Sequence, residues 1–386
     1  MFKKYHAIGR AVLGAVLLAA TASVPLAHAQ STKVLKLGGI LTVTGPNAAL
    51  GKEALGGLEY AAKQVNAGGG VKIGADTYTV QIVNIDDESK AERTAAAVER
   101  LINSEKTSVI FTSPASTTTL AILPALEKSK TVGMSFIAAA PSVVGPEYPF
   151  SFRSTLSSIT NVNPAVDYLF KTKGIKTVAF VGRNDDWGRS AAAAISARTK
   201  SLGGQIVMEE FFDPGATDFA GLFSKIRGIN ADAVIAAISI ESVAFAKQYR
   251  ELRLKPVLMS VGVTLAGPAM VKAAGQAAEG IYVATGPTTS DTPAIRSFSQ
   301  QFEKANGRTP LPYELVGYDN VMLVLDAMKK AGSIESVKVA ETLRKLEYNG
   351  LLQDYRFGGD NQSDVVININ EIKDGRAVPI SSLVAR

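Results

Sequence analysis

The sequence predicts an α/β fold of two doubly wound, parallel-sheet lobes. Three observations carry that prediction. Apolar runs of strand length, such as TVAFV at 177–181 and AVIAAI at 233–238, are continuous, as in strands buried on both faces of a parallel sheet. Segments with apolar residues at helical spacing follow these runs, and strand–helix repetition of this kind implies right-handed crossovers. The rhythm runs once to about residue 152 and restarts after Arg153, which makes two lobes, in keeping with 386 residues at about 150 per domain.

The first element is not part of either lobe. Lys3, Lys4 and Arg10 accompany an almost wholly apolar run at 11–22, and Pro25 and the small-x-small pattern Ala27-His28-Ala29 follow. That run is short of the roughly 20 residues that span a bilayer. Positive, apolar and cleavage regions in this order predict a secretory signal peptide over 1–29, cut after Ala29 to leave Gln30 first. Cleavage removes three basic residues and no acidic ones, so 357 residues with a net charge of +3 remain. A free exported protein needs a compartment that retains it, and the periplasm of a Gram-negative cell is the expected one.

Residues 34–41 (VLKLGGIL) read as a strand running into the turn Thr44-Gly45-Pro46. A helix over 48–66 follows, with Leu50, Ala54, Leu58, Ala61, Ala62 and Val65 on one face and the glycines at 68–70 as its stop. Then come an alternating strand at 78–85, a helix at 87–103, a strand at 108–112, a helix at 117–128 and a strand at 131–137. In the second half the predicted helices are 163–172, 187–202, 217–228 and 241–252, with strands at 177–181, 205–211, 233–238, 256–260 and 280–284. Residues 291–346 read as mostly helical, and 352–386 as one strand at 365–369 and little else.

Composition excludes several function classes. The chain has no cysteine, so disulfides, thiolate catalysis, cysteine-ligated zinc and attachment of lipid to an N-terminal cysteine are impossible. Its two histidines, His6 and His28, precede the predicted cleavage, which removes histidine bases, histidine metal ligands and Ser-His-Asp triads. A charge of +3 without clustered Lys/Arg and aromatics is no nucleic-acid footprint. No Walker motif, G-x-S-x-G elbow or H-E-x-x-H occurs. Neither a cofactor nor a metal is expected.

Open parallel sheets bind ligands beyond the carboxyl ends of their strands. Four loops lie there: Thr44 to Asn47, Ser113 to Thr119, Ala138 to Ser142, and Gly182 to Gly188. In the second, Ser113, Ser116 and Thr117 sit at a predicted helix start, where hydroxyls, free amides and the helix dipole either hold a carboxylate or simply cap the helix. In the fourth, Trp187 is the chain's one tryptophan and stands between two aspartates and a glycine, which favours a partly exposed aromatic wall over a core position. Asp185 and Asp186 are helix caps or ligand contacts, with capping expected for at least one. Asp86-Asp87 and Asp319 read as structural.

In order along the chain stand Thr44-Gly45-Pro46 with Gly51, Ala54 and Gly57; Asp86-Asp87; Ser113-Pro114-Ala115-Ser116; Asp185-Asp186-Trp187-Gly188; Ala277-Ala278-Glu279-Gly280; and Gly317-Tyr318-Asp319-Asn320. With that ordered set the chain resembles, over nearly all of 33–372, the periplasmic leucine/isoleucine/valine-binding proteins, type I solute-binding proteins of ABC importers. The resemblance implies two lobes joined by three crossover strands, lobe one being 33–152 plus 286–356 and lobe two 153–285 plus 357–386. It implies hinge closure on a ligand and docking of the closed form on a membrane permease. It carries over a carboxylate site at Ser113, Ser116 and Thr117 and an aromatic wall at Trp187. The relatives' ammonium clamp would fall on the loop Ala138–Ala140 and on Val263, where this chain has three alanines and no acid. Either Glu241 or an aspartate at 185–186 replaces the clamp, or the ligand has no ammonium and is an apolar or aromatic acid lying against Trp187, Phe136 and Ile137. A cystine that some relatives carry near Ser89 and Thr112 is absent.

The expected protein is therefore a monomeric, non-enzymatic periplasmic binding protein. Its ligand is a hydrophobic or branched-chain amino acid or a related small carboxylate, and its partner is an inner-membrane ABC permease. A ligand-sensing receptor domain of the same fold, feeding a signalling partner, is the alternative.

Overall fold

The computed structural model describes residues 32–385. The expected signal peptide, its cleavage after Ala29 and both histidines lie outside the described residues.

One sheet is built from the first part of the chain. β1 (Lys33–Gly39) leads to α1 (Ala48–Ala67), and a hairpin of β2 (Val71–Ile73) and β3 (Asp76–Asn84) follows. Then come α2 (Ala91–Asn103), β4 (Val109–Phe111), α3 (Ser116–Ser129), β5 (Val132–Ser135) and β6 (Ser151–Arg153). The strand order is β2-β3-β1-β4-β5-β6, parallel throughout except at the β2–β3 hairpin.

A second sheet follows. Its elements are α4 (Ser158–Asp167), β7 (Thr177–Arg183), α5 (Asp186–Ser201), β8 (Gln205–Phe212), α6 (Ala220–Gly228), β9 (Ala233–Ala237), α7 (Ser242–Glu251), β10 (Val257–Ser260), α8 (Pro268–Ala274) and β11 (Tyr282–Thr285). After α9 (Pro293–Asn306), α10 (Pro312–Ala331), α11 (Ser336–Leu343) and the small hairpin β12 (Glu347–Asn349) and β13 (Asp354–Arg356), the chain ends in β14 (Val365–Lys373) and β15 (Arg376–Ala385). The order is β15-β14-β11-β10-β9-β7-β8, parallel throughout except for the antiparallel pairings of β14 with β11 and with β15.

Alternation along single strands produces the double winding. In β9, Val234 and Ala236 enter one apolar core while Ala233, Ile235 and Ala237 enter another on the opposite face. In β4, Val109 and Phe111 pack with α1 and α10, and Ile110 packs with α2 and α3. This is why both faces of these strands need apolar residues, and why their sequence runs are continuous. Helices α9 to α11 return to the first sheet: Tyr60 of α1 meets Phe298 and Phe302 at ring distances of 5.7 and 4.8 Å.

The chain changes sheet after β6, after β11, and between β13 and β14. Two of these passages run side by side. Arg153 bridges Gln362 in parallel, its Nε donating to Gln362 Oε1 at 2.5 Å, and Gln362 Nε2 donates to the Thr155 carbonyl at 2.8 Å.

Some sequence expectations need correction. The helix expected at 87–103 begins at Ala91, because Glu88 and Ser89 adopt left-handed backbone angles and Asp86 and Asp87 accept loop hydrogen bonds. The helix expected at 163–172 begins at Ser158, where Ser157 and Thr160 form a capping box, and its last stretch, Tyr168–Thr172, is a π-helical turn. β2 and β15 are additional to the strands the sequence predicts. The β14–β15 hairpin turns at Asp374-Gly375, both with positive φ, which is the Asp-Gly signature of a tight hairpin.

Candidate ligand cleft

The carboxyl ends of β4, β5, β7, β9 and β10, from both sheets, converge on one cavity with about 570 Å³ of empty space, partly open to solvent. The first lobe contributes Asn47, Leu50, the Pro114-Ala115-Ser116 turn, Ile137, Ala139 and Tyr313. The second contributes Arg183, Asp185, Trp187, Ser239, Val261, Gly262 and Thr264, and Leu156 comes from the connection between the sheets.

The turn before α3 presents a helix start to the cavity. Ala115 occupies the cap position without any side-chain cap, and the backbone amides of Ser116, Thr117 and Thr118 have no acceptor among the described residues. Ser116 Oγ accepts from the Ala140 amide at 3.0 Å, which leaves its O–H for another acceptor. Such a start favours an anion through its free amides and dipole.

The opposite wall depends on two close approaches. A Cβ on Gly188 would lie 1.9 Å from the Arg183 carbonyl oxygen, so only glycine lets α5 start directly against the end of β7. A Cβ on Gly262 would lie 1.8 Å from the Ile238 carbonyl oxygen and 3.3 Å from the Trp187 ring. Asp185 caps α5, accepting from the Gly188 amide at 2.9 Å. Trp187 is half-buried, with part of its ring packed into the core of the second lobe.

Of the residues singled out by sequence, Ser116 and Trp187 share this cavity. Ser113 does not line it: its hydroxyl donates to Asp87 at 2.6 Å inside the first lobe, because Asp87 gathers Thr42, Thr94 and Ser113 to join the ends of β1, β3 and β4. Thr117 faces the other lobe and donates to Asp186 at 2.6 Å. Ala138 and Ala140 are buried with Val143 and Val144, and Ala139 between them lines the cavity instead. Phe136 is buried in the first lobe's core, while Ile137 lines the cavity. Glu241 is fully engaged, accepting from the Gly215 and Ser239 amides at 2.7 and 3.0 Å. The side chain of Val263 lies outside what the structure describes.

Sequence reasoning passed over Arg183, Ser239, Thr264 and Tyr313. Arg183 had a signal, a lone basic residue ending the buried strand TVAFVGR. Its side chain is 6% exposed, with Nε 3.0 Å from Asp185 and 3.9 Å from Glu241. Tyr313 had none, since it opens a helix distant in sequence.

Beside the cavity, Glu53 of α1 shares a further void with Tyr313, Thr264 and Pro268. Burial pushes its carboxyl up to about 7, and Glu314 adds to this while the Tyr313 amide and Arg308 oppose it. Among the described residues no group of acidic or other ligating side chains is placed to hold a metal ion, and no helix is long and apolar enough to cross a membrane.

The sequence pattern that defines a family described as periplasmic binding protein matches residues 34–376. A curated relative from Brucella suis, "Leu/Ile/Val-binding protein homolog 8", is 23% identical, covering 95% of this chain and 96% of that protein. Among solved structures, a leucine-binding protein from Thermotoga maritima superposes with a TM-score of 0.81 at 24% identity, covering 91% of this chain and 99% of that one. A solute-binding protein of an ABC transporter from R. palustris, solved with benzoate, superposes with a TM-score of 0.81 at 21% identity over 90% of this chain and 96% of the other.

Proposed function

The chain belongs to the periplasmic binding protein family, of the leucine/isoleucine/valine-binding type, and on that premise we propose that it is the substrate-binding protein of an ABC importer. In this reading it is exported through its N-terminal signal, works as a monomer, closes on a small hydrophobic carboxylate and delivers it to an inner-membrane permease. The three passages between the sheets form the hinge, with the lobes divided at 152/153, 285/286 and 356/357.

One observation carries the reading. The uncapped start of α3, with the free O–H of Ser116, faces the Trp187 side of the same cavity across the two lobes. The acid group of the ligand sits on the first and its apolar body lies against the second. The cavity offers no free acidic side chain for an ammonium: Asp185 caps α5 and pairs with Arg183, Glu241 is engaged, and the relevant loop is alanine. A buried ammonium without a partner costs several kcal/mol. An apolar or aromatic acid without an amino group therefore fits better than an amino acid, and the benzoate held by the R. palustris protein belongs to that chemistry.

The test is thermal unfolding of the mature protein with leucine, isoleucine, valine, phenylalanine, benzoate and short aliphatic acids. Ligand at about a hundred times its Kd should stabilise the fold by about 2.7 kcal/mol, with a matching rise in Tm. Acids lacking an amino group should give the larger shifts, and no shift with any of these compounds would end the proposal.

A further inference from the structure

Beside the ligand cavity, a second void with about 470 Å³ of empty space separates the two lobes. One wall is α1 around Glu53 with the start of α10 around Tyr313, and the other is Ile240, Thr264 and Met270 of the opposite lobe. Leu50, Thr264 and Tyr313 line this void and the ligand cavity alike, so parting the lobes opens both. In the arrangement seen here the lobes are in contact, with Thr117 of one bonded to Asp186 of the other.

The charges around the void are unevenly placed. Glu53 is the one charged residue that lines it, and no charged side chain lines it from the second lobe. On the first lobe, Arg308 already holds the carboxylate of Glu314 at 2.5 and 2.8 Å, and Glu314 also accepts from the Leu311 amide at 2.7 Å. Glu53 is left with the Tyr313 amide as donor and with Glu314 as a like charge nearby. With the lobes together, a carboxylate at Glu53 has exchanged much of its water for apolar neighbours, which penalises the charged form more than the neutral acid. With the lobes apart, water reaches the group and the penalty disappears.

We propose that Glu53 is a proton-controlled latch: closure of the lobes takes up a proton on its carboxyl, so the cleft captures ligand tightly in mildly acidic medium and releases it more readily as the medium turns alkaline. The latch concerns the regulation of the cleft and rests on the closing motion of the function proposed above. The carboxyl is pushed up to about 7 in this arrangement, which sets the window. Closure is favoured at low pH and loses ground as pH rises from the ordinary glutamate range through about 7. No histidine stands among the described residues to titrate in the same range.

Calorimetric titration at pH 5.5 and pH 8 tests it on the wild type, Glu53→Gln and Met270→Lys. The probes are benzoate, leucine, isoleucine, valine and phenylalanine, whose own ionic forms change little across that range. Any of them that binds the wild type should have a Kd at least about tenfold higher at pH 8 than at pH 5.5. In Glu53→Gln, which stays neutral, the two values should agree within about twofold. Met270→Lys, which sets an ammonium across the void from Glu53, should also flatten the dependence by holding the closed form with Glu53 ionised. Wild-type binding that does not change with pH, or that changes as much in Glu53→Gln, would overturn the latch and leave the binding function intact. Binding lost equally at both pH values in Glu53→Gln would mean that the residue only supports the fold, and would overturn the latch as well. Failure of every probe to bind the wild type at either pH would remove the binding function and the latch with it.

Discussion

Asp319 shows how a carboxylate in a family motif serves the fold. It has no exposed surface and accepts from the Leu351 and Leu352 amides at 2.8 and 3.0 Å and from Tyr355 at 2.7 Å. Burial pushes its carboxyl up to about 6 against the pull of those three donors. Asp319→Ala should lower unfolding free energy by about 2–4 kcal/mol, because it strands buried donors; urea denaturation measures it. Glu53 makes a prediction in pH. With its folded pKa raised to about 7, the folded state keeps a proton that the unfolded chain has already released. The stability that the proton contributes is present at low pH and is lost as pH rises from the ordinary glutamate range through about 7. Glu53→Gln should therefore gain on the wild type across that window, by up to roughly 3 kcal/mol above pH 7, in unfolding measured at pH 5 and pH 8.

Among the elements, α3 and α5 matter most to the site, since each starts at the carboxyl end of a buried strand and at the rim of the same cavity. They differ in how they are capped. α5 has one of its first amides, that of Gly188, bonded to Asp185, and α3 keeps its own free. The same comparison explains the two serines of the α3 loop. Ser113 ends β4 and is drawn inward by Asp87, whereas Ser116 is already on the helix and turns toward the cavity. The contact that joins the two starts, Thr117 to Asp186, links the lobes. Thr117→Val removes one exposed hydrogen bond of about 1 kcal/mol, so the ratio of closed to open molecules should fall about fivefold. Ligand affinity should fall by a similar factor at most, and small-angle scattering of the ligand-free protein should report a larger radius of gyration. An unchanged radius and affinity would mean that the contact does not hold the lobes together.

At the scale of the whole molecule, two sheets of similar build face one another with their strand ends, and the passages between them are few. The Arg153–Gln362 pair ties two of those passages together, so the hinge proposed above should bend as a unit rather than as separate loops. In the function proposed above, closure moves the carboxyl ends of one sheet toward those of the other and so buries the ligand between them.

The sequence alone determined the alternation of strands and helices, the two-lobed class, the loops that meet at the site and the lack of cysteine in the chain and of histidine among the described residues. These follow from periodicity and composition, which are local properties. The Asp374-Gly375 hairpin is equally legible, as a turn signal between strand-length segments. Only the tertiary structure decided which hydroxyl faces the cavity, that Glu241 is consumed by backbone amides, and that Arg183 stands buried with free donors beside Trp187 and Tyr313. The direction and satisfaction of a polar side chain depend on what packs around it, and those neighbours come from distant segments that no short-range pattern connects.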